Sequence, residues 1–140
     1  MKNTLKFISI SIIISLASCG STKVENTTQD STTKNQTQNA TKTAKDVTII
    51  EFEELIKKGG IILDVRTPNE FGAGHLENAI NINFYNPNFE SEIAKLDRTK
   101  TILVYCRSGG RSAKAMKIIS KKGFSTVYNM LGGYMAWSTK

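Results

Sequence analysis

Apolar and polar positions divide the chain into three regimes. An apolar run, "FISISIIISL" (7–16), follows Lys2 and Lys6. From Gly20 to Lys45 Thr, Asn, Gln, Ser and Lys dominate, with Val24, Ala40 and Ala44 the only apolar side chains. From Asp46 onward short apolar runs alternate with segments of helical character. There "VTII" (47–50) has the composition of a short strand, "EFEELIKKG" (51–59) that of a helix ending at Gly59 or Gly60, and "IILDV" (61–65) is an apolar run of strand length. "TPNEFGAGH" (67–75) reads as a turn with a short helix, "AINI" (79–82) as a strand and "NFESEIAKL" (88–96) as a helix. "TILVYC" (101–106) is a second apolar strand, "SAKAMKIISKKG" (112–123) a helix capped by Ser112 and Gly123, "TVYNM" (126–130) a strand and "GGYMAW" (132–137) a closing turn of helix. Short buried strands alternating with helices predict an α/β fold: a small doubly wound parallel sheet with helices on both faces.

The first regime is too short to cross a bilayer as a helix, which takes about 20 apolar residues. Its positive start, apolar core and small residues read as a cleaved export signal over 1–18. "LASC" (16–19) resembles the lipobox of bacterial lipoproteins, which implies lipidation of Cys19 and cleavage after Ser18. Several acyl chains on one residue give stable anchoring where one does not. The second regime, 19–45 with Cys19, cannot bury enough surface to offset the entropy of ordering and is expected to be a disordered tether. As a flexible coil it would reach roughly 30 Å. The folded domain is expected over 46–140.

Charge removes one class of partner. The chain has 19 basic and 12 acidic residues, but from Asp46 onward 13 basic residues stand against 10 acidic ones. The visible cluster, Lys114, Lys117, Lys121 and Lys122, lies largely opposite Met116, Ile118 and Ile119, which is a solvated helix face and no nucleic-acid footprint. One histidine and one domain thiol do not make a metal site.

With Cys19 committed to lipid, Cys106 is the single thiol of the exported domain, so no internal disulfide forms there. It ends a strand and opens "CRSGGRS" (106–112). Ligands bind beyond the carboxyl ends of strands in open α/β sheets, where both this loop and Asp64-Val65-Arg66 fall. Arg107, Ser108, Gly109, Gly110 and Arg111 form a glycine-rich link into a helix N-terminus that can turn several amides inward as an anion cradle. The helix dipole, those amides and the nearby guanidinium groups favour the thiolate of Cys106, making it a nucleophile.

Three motifs in order, "LDVRTPNEFGAGHLENAINI" (63–82), "CRSGGRS" (106–112) and "LGGYMAW" (131–137), resemble the signatures of a single rhodanese domain over essentially the whole folded part. The resemblance implies a sulfurtransferase in which Cys106 takes a sulfane sulfur from a donor such as thiosulfate or a persulfide and passes it to cyanide or a thiol. Covalent transfer in two half-reactions predicts ping-pong kinetics, with no cofactor beyond the cysteine persulfide. It also implies that Arg107 to Arg111, with the amide of Ser112, cradle the persulfide, and that Asp64 pairs with Arg107. A strand-capping role for Asp64 is the alternative. Arg66 either faces the donor anion or joins a surface ion pair.

The departures from the family pattern lie at Glu70 and Ser108, where members specialised for thiosulfate carry basic residues. A carboxylate at the mouth would disfavour a dianionic donor. Glu77 and Asn78 replace a frequent Pro-Gly, a change confined to a turn. His75 is expected to be structural, and Tyr134 and Trp137 to close the core. Two other functions are carried forward. One is a phosphatase or arsenate reductase, although Arg111 makes the loop one residue shorter than Cys-x5-Arg. The other is a membrane-tethered thiol redox sensor or interaction module. The protein is expected to act as a monomer, lipid-anchored in the bacterial cell envelope and facing the periplasm or exterior.

Overall fold

The computed structural model describes residues 42–140. The export signal, Cys19 and all but the last residues of the expected tether lie outside the described residues. Five strands, β1 (Thr43–Val47), β2 (Ile61–Asp64), β3 (Ile80–Asn81), β4 (Ile102–Tyr105) and β5 (Thr126–Met130), form one parallel sheet in the order β1-β5-β4-β2-β3. Five helices connect or close them: α1 (Ile49–Lys57), α2 (Pro68–Gly72), α3 (Phe89–Ile93), α4 (Gly110–Lys121) and α5 (Gly133–Trp137).

Strand alternation sorts the core into two layers. Leu63, Val65, Ile102, Val104 and Val127 meet Phe89 and Ile93 of α3 and Ala115, Met116 and Ile119 of α4. Ile62, Leu103, Tyr105 and Met130 meet Phe52 of α1, Leu76 and the α5 side chains Tyr134 and Trp137. Helices therefore cover both faces, as the apolar runs of β2 and β4 require. Because every strand runs the same way, all carboxyl ends open on one edge of the sheet.

At the amino end of the described residues two boundaries differ from the sequence expectation. β1 begins at Thr43, so Thr43, Ala44 and Lys45, read as tether, are paired to β5. "VTII" is not a strand: Val47 ends β1 and Ile49 starts α1. Thr48 decides this, because its hydroxyl accepts the Glu51 amide while the Glu51 carboxylate accepts the Thr48 amide, a reciprocal cap that starts a helix.

Candidate active site

Cys106 follows β4 at the carboxyl edge of the sheet. Alternation from Ile102 and Val104 sends its side chain to the α3/α4 face, where it is 1 % exposed at the start of α4. Gly109 makes the turn possible: its φ of 99° is left-handed, and its N–H donates to Cys106 Sγ at 3.1 Å. Gly109, not Ser112, caps α4. Ser112 sits one turn inside the helix, with its hydroxyl 3.4 Å from Sγ and 3.0 Å from the Gly109 carbonyl. One hydroxyl proton thus has two acceptors, and a charged sulfur is the stronger claimant.

Burial pushes the Cys106 thiol up, but the Ser112 hydroxyl and the amides of Ser112, Ser108 and Gly109 together pull it further down, so the thiol ionises below its ordinary value. Hydrogen bonds at the helix start supply this effect. Of the guanidinium groups expected to contribute, Arg111 is bonded to Glu70 and still feels the Cys106 charge, while Arg107 is exposed.

Asp64 does not pair with Arg107. Its carboxylate is filled by Arg66, whose Nε reaches both oxygens at 3.0 and 2.9 Å, whose Nη2 reaches Oδ2 at 2.6 Å and whose own amide donates to Oδ1 at 2.8 Å. Arg66 is not a member of a surface ion pair. It is buried, gives Nη2 to the Gly74 carbonyl as well, and lies 4.0 Å above the Tyr134 ring centre. Asn81 ties down the same strand end by donating to the carbonyls of Asp64 and Arg66. Arg111 gives both terminal nitrogens to Glu70 at 2.7 and 2.8 Å. Glu70 is therefore not the bare repulsive carboxylate expected at the mouth, since Arg111 neutralises it. Of Arg66, Arg107 and Arg111, only Arg107 lacks a carboxylate partner among the described residues. It is exposed beside a depression of about 240 Å³ lined by Arg66, Glu70, Ala73, Arg107, Tyr134 and Met135.

Two contributions escape a reading of sequence. The first is α5, expected only to close the core. The Tyr134 amide donates to the Cys106 carbonyl at 2.8 Å and the Met135 amide to the Arg107 carbonyl at 2.9 Å. Gly133 permits this approach, because a Cβ there would stand 2.7 Å from the Arg107 carbonyl group. The second is the cap of α2, where Thr67 and Glu70 bond reciprocally and so aim Glu70 at Arg111. Here a signal existed: Thr67-Pro68-Asn69-Glu70 has the S/T-x-x-E spacing. Other expectations hold. His75 is structural, stacked on Phe71 with ring centres 3.8 Å apart and donating Nδ1–H to the Phe71 carbonyl. Asn78 takes the left-handed φ of 61° at its turn, and Trp137 packs edge-on against Phe52.

Known proteins resemble this chain in sequence and fold. The family model for the rhodanese-like domain matches residues 48–140. The chain is 37% identical over 106 residues to rhodanese-like domain-containing protein 17 of Arabidopsis thaliana, covering 67% of this chain and 68% of that one. It is 36% identical over 102 residues to the chloroplastic thiosulfate sulfurtransferase 16 of the same plant, covering 66% and 85%. The crystal structure of a rhodanese-related protein from Thermoplasma volcanium superposes with a TM-score of 0.61 at 32% identity, covering 68% of this chain and 91% of that one. A five-stranded parallel sheet, a cysteine loop opening α4 and these matches lead to one conclusion: the chain belongs to the rhodanese-like domain family, among relatives that include thiosulfate sulfurtransferases.

Proposed function

We propose that the protein is a sulfurtransferase that carries one sulfane sulfur on Cys106 as a persulfide. The observation that supports this most directly is the Gly109 N–H aimed at Sγ from the start of α4, with the Ser112 hydroxyl on the same atom. The thiolate attacks the outer sulfur of the donor. The donor S–S bond breaks, and its electron pair leaves with sulfite when the donor is thiosulfate, or with a thiolate when it is an organic persulfide. The terminal sulfur of the Cys106 persulfide is then attacked by cyanide or a thiolate, which returns the original thiolate. Amides that hold a thiolate also suit a persulfide anion. Arg107 is the guanidinium open to an incoming anion. Arg111 has both terminal nitrogens bonded to Glu70, which leaves it less free than Arg107 to clasp an oxyanion.

Intact mass tests the proposal. After incubation with thiosulfate, and separately with glutathione persulfide, the protein should gain the mass of one sulfur atom, cyanide should remove it, and Cys106→Ser should never acquire it. An active Cys106→Ser protein, or a folded and reduced parent that takes sulfur from neither donor, would overturn the reading. We further propose that Cys19 bears the lipid anchor that holds the domain in the cell envelope. Metabolic labelling with a radioactive fatty acid should mark the protein and fail to mark Cys19→Ala.

A further inference from the structure

The conformation of the Cys106 loop is imposed from outside the loop. In a trans peptide the C=O and the following N–H point in opposite directions. The Arg107 carbonyl points at the Met135 amide of α5, so the Ser108 N–H on the same peptide plane must point away from α5, and the next amide, that of Gly109, is on Sγ. The Cys106 carbonyl is fixed in the same way by the Tyr134 amide. Ser108 is also one of the amides that lower the Cys106 thiol.

The start of α5 is itself held by the ring of Tyr134. That ring is stacked against Arg66, and Arg66 is immobilised by Asp64 and the Gly74 carbonyl. Gly74 has no room for a side chain, since a Cβ there would meet the Tyr134 hydroxyl oxygen at 2.5 Å. A continuous line of contacts therefore runs from the carboxyl end of β2, through Arg66 and the Tyr134 ring, to the two carbonyls that orient the loop. We infer that Tyr134 is a positioning residue: stacked on Arg66, it sets the start of α5 so that the Ser108 and Gly109 amides face Cys106 Sγ. The face of the ring carries the effect and the hydroxyl does not, because the hydroxyl has no hydrogen-bond partner among the described residues. The inference takes from the proposed function only that Cys106 works as a thiolate.

The test measures the rate of Cys106 alkylation by iodoacetamide against pH, with no sulfur donor present, so it is separate from any failure of sulfur transfer. Tyr134→Leu and Tyr134→Met, which keep bulk but lose the aromatic face, should shift the profile upward by about one unit, a tenfold loss of reactivity below the thiol pKa. Tyr134→Phe should retain the parent profile. A folded Leu or Met variant with the parent profile, or a Phe variant shifted as far as they are, overturns the inference. A second measurement needs no variant: in the parent protein, the amide proton resonances of Ser108 and Gly109 should move together as the thiol titrates. A Ser108 amide indifferent to that titration overturns the inference equally.

Discussion

Arg66 lies along the carboxylate of Asp64, two residues before it, and fills it with Nε, Nη2 and its own amide at 2.6–3.0 Å, both side chains being removed from solvent. The pair closes the carboxyl end of β2 and supports the wall against which α5 rests. Removing one member leaves the other charged and buried. Asp64→Ala should therefore cost about 3 kcal/mol or more in urea unfolding, and Arg66→Met a comparable amount. The double replacement Asp64→Leu with Arg66→Met should cost at least about 2 kcal/mol less than the sum of the singles. Additive losses would mean that the charges are not coupled.

The Glu70–Arg111 pair predicts a pH window. The Arg111 guanidinium, against a smaller opposing effect of burial and with help from Thr67, lowers the Glu70 carboxyl from its ordinary 4.5 to about 2. A carboxyl depressed on folding contributes fully above its unfolded value and loses that contribution as pH falls through its folded value. Glu70→Gln should destabilise the domain by about 1–2 kcal/mol at neutral pH. Parent and variant should then converge as the pH descends from 4.5 toward 2 in denaturation curves. A difference that persists unchanged to pH 2 would remove the ion pair from the explanation.

Ser112→Ala deletes the hydroxyl that Sγ and the Gly109 carbonyl share. The thiolate loses a donor that the thiol does not need, so the Cys106 pKa should rise by about one unit, and alkylation at neutral pH should slow severalfold. The pH profile of alkylation decides the matter. An unmoved profile would assign the hydroxyl to the Gly109 carbonyl alone.

Gly133→Ala meets two obstacles, a left-handed φ of 56° and the carbonyl groups of Cys106 and Arg107 in the space a methyl would need. It should cost about 2 kcal/mol or more, and the surviving folded protein should have a less acidic thiol. Gly72→Ala, where a Cβ meets nothing within 4 Å, is the matched control and should be nearly silent.

The parts of this molecule legible in its sequence are those written in apolar runs. "IILDV" and "TILVYC" gave β2 and β4 because strands buried on both faces have no polar alternation to hide them. The cysteine loop was legible because glycines, arginines and a lone cysteine in seven residues have few uses in common. β1 was not, because it is an edge strand on which only Val47 must be buried, and its TAKDV resembles the polar segment before it. The choice of Arg66 over Arg107 as the partner of Asp64 was also out of reach. Both arginines follow strands that end at the same edge of the sheet, and the outcome depends on the turn of the chain after β2, which brings Arg66 back over its neighbour. The α5 amides belong to main chain, and main chain leaves no letter in a sequence beyond the glycine that lets it approach.

A sheet whose strands all run one way gives the domain a front and a back. The described chain enters at the back, where Lys42 precedes β1 and its ammonium meets the Ser120 carbonyl near the last turn of α4. Cys106 lies at the front, where the first turn of the same helix meets it. The twelve residues of α4 put about 18 Å between the two. Under the proposed function, a sulfur donor or acceptor thus meets the domain on the pole opposite the one where β1 begins.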